Sequence, residues 1–391
     1  MRSGWRMIDS SILLSAAEVF GTPFYFYDLD FIRNRVRKVY DFFNQFDFHL
    51  AYAVKANFNF EILSMLNELG TMVDVVSFGE YERVRKAGFT PERIVVNGNC
   101  KSVGELKKYV EDSVYCINLD SLEELLRLES IVDRPVRVAI RVNPDVDPKT
   151  HHHIATGLKE NKFGVDYETA ERMIQIISRS RFVRLAGLHC HIGSQIVEVD
   201  PYRQAFESMR SFVSKLNLQL ELVNLGGGWG IDYGDGKLLD LEEYRRKVFP
   251  ILEDFNCRIV LELGRWIVGP AGYLISKVEY VKKTKNKNFI VIDAGMSHLI
   301  RPALYGAKHR IEPLYEQKDR PTIVADVVGP VCESADTFAK NLELPEPQEG
   351  ELLIIRDVGA YGYVMSSHYN LLRKAPEILY SKETGFRVSS A

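Results

Sequence analysis

The chain has 391 residues, 46% hydrophobic and 26% charged, which is enough apolar mass for a large packed core and argues against disorder. Its 50 basic and 53 acidic residues leave a net charge of −3, so no electrostatic footprint for nucleic acid or an anionic membrane surface is present. No apolar run approaches the roughly 18 residues of a membrane span, and the five scattered cysteines (Cys100, Cys116, Cys190, Cys257, Cys332), with no Cys-x-x-Cys pair, point to a reducing cytoplasm.

The opening stretch "MRSGWRMIDSSILLSAAEVFG" is broken by Glu18 and reads as a peripheral helix rather than a signal peptide. An amphipathic helix follows near residues 30–43. Then come eight short apolar runs: "FHLAYAV" (48–54), "MVDVV" (72–76), "RIVVN" (93–97) and "VYCIN" (114–118), followed by "VRVAIRV" (136–142), "RLAGLHC" (184–190), "LELVNL" (220–225) and "CRIVLEL" (257–263). Helical patterns such as "FEILSMLNELG", "VGELKKYV" and "YRQAFESMRSFVSKL" separate them. Strands separated by helices pair in parallel through crossovers, and eight such repeats predict a closed (β/α)₈ barrel, with an open doubly wound sheet as the alternative. After residue 266 the rhythm changes. "GYLISKVEYVKK", "NKNFIVIDAG", "PTIVADVVGP" and "GELLIIRDVGAYG" are strands with little helix between them. The expected organisation is a barrel over residues 23–265 and a smaller β domain over 266–391, joined by residues 1–22.

Barrel chemistry belongs at the C-terminal strand ends. Those ends carry Lys55, Ser77, Asn97, Asn118, Arg141, His191, the triplet Gly226-Gly227-Gly228, and Glu262 with Gly264 and Arg265. Lys55 closes a strand that reads as buried, where a charged group needs a partner. The run "NLGGGWGIDY" lets backbone approach a ligand and offers N–H groups to an anion, although a tight turn without a ligand explains the glycines equally well. An amine beside an anion site fits Schiff-base chemistry with an aldehyde-bearing phosphate cofactor, pyridoxal 5′-phosphate (PLP). Glu262 is the carboxylate that would keep a pyridine nitrogen protonated, and His191 could stack on the ring; on its own His191 reads as an ordinary hydrogen-bonded histidine. The run His151-His152-His153 reads against a metal site, because consecutive extended side chains alternate faces and no Cys or His-Glu-x-x-His motif accompanies it.

The segments "YAVKAN", "DVVSFGE", "HCHIGSQ", "GGGWGIDY", "ELGR", "DAGMSHLIRPALYGAKH", "VVGPVCESAD" and "DVGAYGYVMSSHYN" run in order along nearly the whole chain. Together they resemble the fold-type III PLP-dependent decarboxylases, most closely the branch that acts on diaminopimelate. The resemblance implies an alanine racemase-like architecture and a PLP cofactor carried on Lys55, with His191 on its ring face and Glu262 at the ring nitrogen. It places Ser194, Gly228, Gly264, Arg265 and Tyr361 around the phosphate. It assigns Arg265, Arg301, Tyr305 and Tyr361 to the substrate. It further implies a homodimer in which Cys332 donates a proton and Glu333 reads the far end of the substrate across the interface, and a loop over the site at 151–164. Leu263 stands where the family usually has proline, and "LLRKAPEIL" replaces an Arg-Pro-rich tail. The expected activity is decarboxylation of meso-2,6-diaminopimelate to L-lysine. A related decarboxylase of ornithine or arginine, of carboxynorspermidine or of acyl-carrier-linked glutamate is the alternative, and a non-catalytic PLP-binding protein is the alternative of another class.

Overall fold

The computed structural model describes residues 8–146, 162–315, 317 and 319–389. It divides into two units. One comprises the described residues up to Asn34, Asp232–Gly236 and the described residues from Ile267 onward; the other comprises the described residues of Arg35–Ile231 and Lys237–Trp266. The first boundary therefore falls inside the helix Leu29–Phe42 rather than at residue 23. The reason is strand β1 (Phe24–Asp28), whose fully buried aromatic residues pair with strands of the C-terminal part of the chain.

The barrel unit is a closed ring of eight parallel strands. They are β2 (Phe48–Ala53), β3 (Met72–Val75), β4 (Ile94–Val96), β5 (Cys116–Leu119), β6 (Val136–Arg141), β7 (Val183–His189), β8 (Leu222–Asn224) and β9 (Arg258–Leu261). Pairing of Phe48 with Ile259 and of Leu50 with Leu261 closes it. All eight expected apolar runs became strands. Parallel strands covered by helices are buried on both faces, so they are written as continuous apolar stretches.

Inside, one residue from each strand forms an apolar floor: Ala51, Met72, Val95, Cys116, Ala139, Ala186, Leu222 and Val260. The helices that follow the strands start on caps close to the strand ends. Asn59, Ser77, Ser102 and Ser121 each accept a hydrogen bond from a backbone N–H of the first helical turn. Each such cap contributes about 1 kcal/mol and sets where the loop ends. These short loops are why the strand ends form a defined rim.

The sheet unit adds β10 (Gly272–Lys283), β11 (Asn288–Ile292), β12 (Ile311–Pro313), β13 (Thr322–Val328), β14 (Thr337–Pro345), β15 (Leu352–Arg356), β16 (Glu377–Ser381) and β17 (Gly385–Val388). The main path runs β14-β13-β11-β10-β1-β16-β17, with β15 pairing β10 and β12. Its core gathers Leu13 and Ala16 of the N-terminal helix Ser10–Phe20 against Phe24, Phe26, Ile275, Ile354 and Ile378. The N-terminal segment thus packs in this unit. No helix among the described residues is long and apolar enough to cross a membrane.

Candidate functional site

Two residues beyond the apolar floor six of the eight strands turn polar. Asp74 follows Met72, Asn97 follows Val95 and Asn118 follows Cys116. Arg141 follows Ala139, Asn224 follows Leu222 and Glu262 follows Val260. A spacing of two returns a side chain to the same face, so these residues form a second, polar layer toward the rim. All of them are buried. Strand β7 departs from the pattern: its register with β6 skips Ala186, and His189, three residues on, points to Glu262. The extra residue of a bulge re-aims the side chains that follow it.

Glu262 is the hub of this layer. Its Oε1 accepts from Asn97 Nδ2 at 2.8 Å, Asn224 Nδ2 at 2.7 Å and Asn118 Nδ2 at 3.4 Å. Its Oε2 accepts from His189 Nε2 at 3.2 Å. Burial alone would raise its pKa. The charge and hydrogen bond of His189, then the charge of Lys55 and the Asn97 amide, outweigh burial and hold the carboxyl well below its usual range. Asp74 goes the other way: burial raises its pKa, the Lys55 charge lowers it, Glu262 raises it again, and the net direction is up. One layer therefore holds a carboxylate kept ionised and another held toward its acid form.

Lys55 sits in the turn Val54–Ala56 directly after β2, with Nζ 3.0 Å from Asp74 Oδ2. Its side chain keeps 37% of its accessible surface while that of Asp74 keeps none. The lysine is therefore less enclosed than the apolar run before it implies, and its partner is a carboxylate 19 residues on. A second lysine, the buried Lys101, bonds the carbonyls of Gly98 at 2.6 Å and Asn118 at 2.9 Å and pairs with Glu124, tying the ends of β4 and β5 together.

The glycine run lies after β8. A Cβ on Gly227 would stand 1.8 Å from the Glu262 carbonyl oxygen, and one on Gly228, at φ +98°, 2.2 Å from that of Gly193. Only glycine allows these close approaches. Trp229, 1% exposed, fixes the turn by packing against Trp266 and Phe43, with ring centroids 5.6 and 6.1 Å away. Gly227 N donates to His191 Nδ1 at 3.0 Å, so the His191 proton rests on Nε2. Burial, then the charges of Lys55 and Arg141, keep the His191 pKa well below its ordinary value, and the ring is neutral. Arg265, buried just after Gly264, donates from Nη2 to Ser194 Oγ at 3.0 Å.

Glu80 supports the rim beside Asp74. Its Oε2 accepts from Val76 N at 2.8 Å, and its own N–H is capped by Ser77 Oγ at 3.2 Å. Burial pushes its pKa up from 4.5 to about 7; the Val76 N–H opposes this and Asp74 adds to it. A folded pKa above the unfolded one means a contribution present below pH 4.5 and lost as pH rises through about 7. Glu80→Gln, which cannot ionise, is therefore expected to gain stability relative to the parent between pH 5 and pH 8. Thermal midpoints of the two proteins across that range measure it; a constant difference would contradict the assignment.

The remaining expected residues lie in the sheet unit. Arg301 is buried, and its Nη1 bonds Tyr233 Oη and His309 Nε2, both at 3.0 Å. Tyr305 ends the same short helix, Arg301–Tyr305. Tyr361 takes a left-handed backbone at φ +58°. Cys332 and Glu333 are exposed; Cys332 N donates to Asn370 Oδ1 at 2.8 Å, and Tyr369 Oη donates to Glu333 Oε1 at 3.3 Å. The expected loop at 151–164 falls outside the described residues up to 161. Sequence reasoning passed over Asp74, His189 and Asn224, which the period of two along β3 and β8 marks for Asp74 and Asn224.

Residues 29–269 match the family described as "Pyridoxal-dependent decarboxylase, pyridoxal binding domain". The diaminopimelate decarboxylase of Aquifex aeolicus is 42% identical over 385 residues, 97% of this chain and 91% of that protein. That of Helicobacter pylori strain J99 is 40% identical over 367 residues, 92% and 91% of the two chains. Among solved structures, the Helicobacter pylori diaminopimelate decarboxylase complexed with L-lysine superposes with a TM-score of 0.92 at 38% identity, covering 96% of this chain and 95% of that one. With a match over most of the barrel and this identity over nearly its full length, the chain belongs to the pyridoxal-dependent decarboxylase family.

Proposed function

We propose that the protein is a PLP-dependent carboxy-lyase that converts meso-2,6-diaminopimelate to L-lysine and carbon dioxide. The observation that carries this reading is Glu262, buried and kept ionised by three asparagine amides and a histidine in the layer that also holds Lys55 and Asp74. The donor set fits PLP. The glycine run, in which a Cβ would collide with backbone oxygens, and the Arg265–Ser194 pair suit a phosphate. A carboxylate suits a ring nitrogen and a lysine suits an aldehyde.

When bound, PLP supplies an electrophilic carbon for an amine and a protonated ring that accepts the electron pair left by departing carbon dioxide. Lys55 is the amine that holds the cofactor, with Asp74 fixing its position. Glu262 would hold the proton on the ring nitrogen; an anion kept ionised at 6% exposure does this more strongly than one in water. Neutral His191 would pack against the cofactor without adding charge that would oppose that proton. Ser194, Gly228, Gly264, Arg265 and Tyr361 would hold the phosphate.

The substrate ends in an amine and a second carboxylate, so it requires both signs. We assign Arg301, with Arg265, Tyr305 and Tyr361, to carboxylate and Glu333 to the distal amine. Cys332 returns the proton to the α-carbon. Cys332 and Glu333 are exposed, as residues that serve a second copy must be, and the reading includes a homodimer. Trapping carbon dioxide from a panel of amino acids tests it. Release from diaminopimelate, with little from ornithine, arginine or lysine, is expected. Release from a simple basic amino acid alone would assign a different substrate, and release from none would favour a non-catalytic binding protein.

A further inference from the structure

We infer that His309, with Tyr233, is a positioning residue that sets the substrate preference of the site by fixing the guanidinium of Arg301. This deepens the reading above and rests on the assignment of Arg301 to the substrate's distal carboxylate. His309 is buried in the sheet unit at 7% exposure. Its Nδ1 stands 2.8 Å from the backbone oxygen of Arg356. A carbonyl only accepts, so Nδ1 carries the proton. Its Nε2 stands 3.0 Å from Arg301 Nη1, a group that only donates, so Nε2 presents its lone pair. The two bonds together fix the neutral ring in one tautomer.

The same Arg301 nitrogen also donates to Tyr233 Oη at 3.0 Å, and the guanidinium carbon lies 5.0 Å from the centroid of the Tyr233 ring. The Tyr233 and His309 rings meet edge to face at 85°. Two acceptors on one nitrogen, in two directions, define the plane of the whole guanidinium fork. A planar fork recognises a carboxylate through paired N–H bonds, so its orientation decides how well it does so. Both of these acceptors are uncharged and orient the cation without themselves adding a negative charge. An acidic partner in the place of His309 would compete with the substrate.

Decarboxylation at one end leaves the distal carboxylate on L-lysine, so lysine reports on this contact directly. The experiment is calorimetric titration of the cofactor-loaded enzyme with L-lysine and with its carboxylate-free counterpart cadaverine, alongside steady-state kinetics. His309→Ala is expected to weaken lysine binding and raise KM by about 10- to 100-fold, the range of a hydrogen bond to a charged group. Cadaverine affinity should stay unchanged and kcat within a few-fold. His309→Gln, which retains an acceptor for Arg301, should recover most of the loss. Arg301→Ala is the reference. If it weakens lysine binding while His309→Ala does not, or if His309→Ala weakens cadaverine equally, the positioning role is overturned. If Arg301→Ala itself leaves lysine binding intact, the carboxylate assignment fails instead. Should His309→Ala not fold, Tyr233→Phe, which deletes one hydroxyl, gives the same lysine-against-cadaverine comparison, with a smaller expected loss.

Discussion

Lys55→Ala is expected to lower kcat for decarboxylation by about 10⁴-fold or more, because it removes the only group assigned to hold the cofactor covalently. It also strips Asp74 of the ammonium at 3.0 Å. Asp74 already has a raised pKa from burial, opposed first by Lys55. Without that cation its folded pKa rises further. A carboxyl whose folded pKa is raised contributes stability at low pH that is lost as pH rises through that pKa. The alanine variant should therefore lose more stability at high pH than at low pH. Lys55→Arg separates the two consequences. A guanidinium keeps the charge beside Asp74 but forms no imine at neutral pH, so stability should largely return while activity does not. Recovery of turnover in the arginine variant would show that charge, not covalent attachment, is what the position supplies.

Glu262→Gln carries the second-largest expected effect, a fall in kcat of about 10²- to 10³-fold with KM little changed. The geometry allows the substitution to act on charge rather than on fold. The three asparagine amides converge on Oε1, and a glutamine oxygen placed there accepts from them as before. The new NH₂ then faces His189 Nε2, which must become an acceptor. His189 Nδ1 is buried without a hydrogen-bond partner, so the imidazole proton can move there. The thermal midpoint at neutral pH should therefore fall far less than in a variant that leaves the three amides without an acceptor. The parent carboxylate, with its pKa held down, contributes stability above its ordinary range that is lost as pH falls, and the glutamine variant should lack that acid-side dependence. Glu262→Ala differs: it leaves buried donors unsatisfied, each costing about 1–3 kcal/mol, and should unfold well below the parent. A glutamine variant with unimpaired kcat would remove Glu262 from the chemistry.

The barrel was legible because burial on both faces writes each parallel strand as a short apolar run, and the polar residues that end those runs mark the rim. Glu262, Asn97 and Asn118 were visible for that reason. Asp74 lies inside "MVDVV" and His189 inside "RLAGLHC", so each reads as strand interior; His189 further depends on the bulge at Ala186, which no apolar pattern reveals. The sheet unit was less legible. Strand β1 is five residues wedged against the helix Leu29–Phe42, and β14, "TFAKNLELP", is half exposed along one edge of the sheet, so neither carries a long apolar run. The link from Arg301 to Tyr233 spans 68 residues and requires that Asp232–Gly236 belong to the sheet unit while the glycines just before it belong to the barrel. That depends on chain path, not on composition.

The covalent role of Lys55 is the claim on which the other assignments rest. Borohydride reduction of the cofactor-loaded protein, followed by peptide mapping, tests it most directly. A single reduced coenzyme adduct on the Nζ of Lys55, in the peptide containing "YAVKAN", is expected. An adduct on any other lysine, or none despite stoichiometric cofactor, would contradict it.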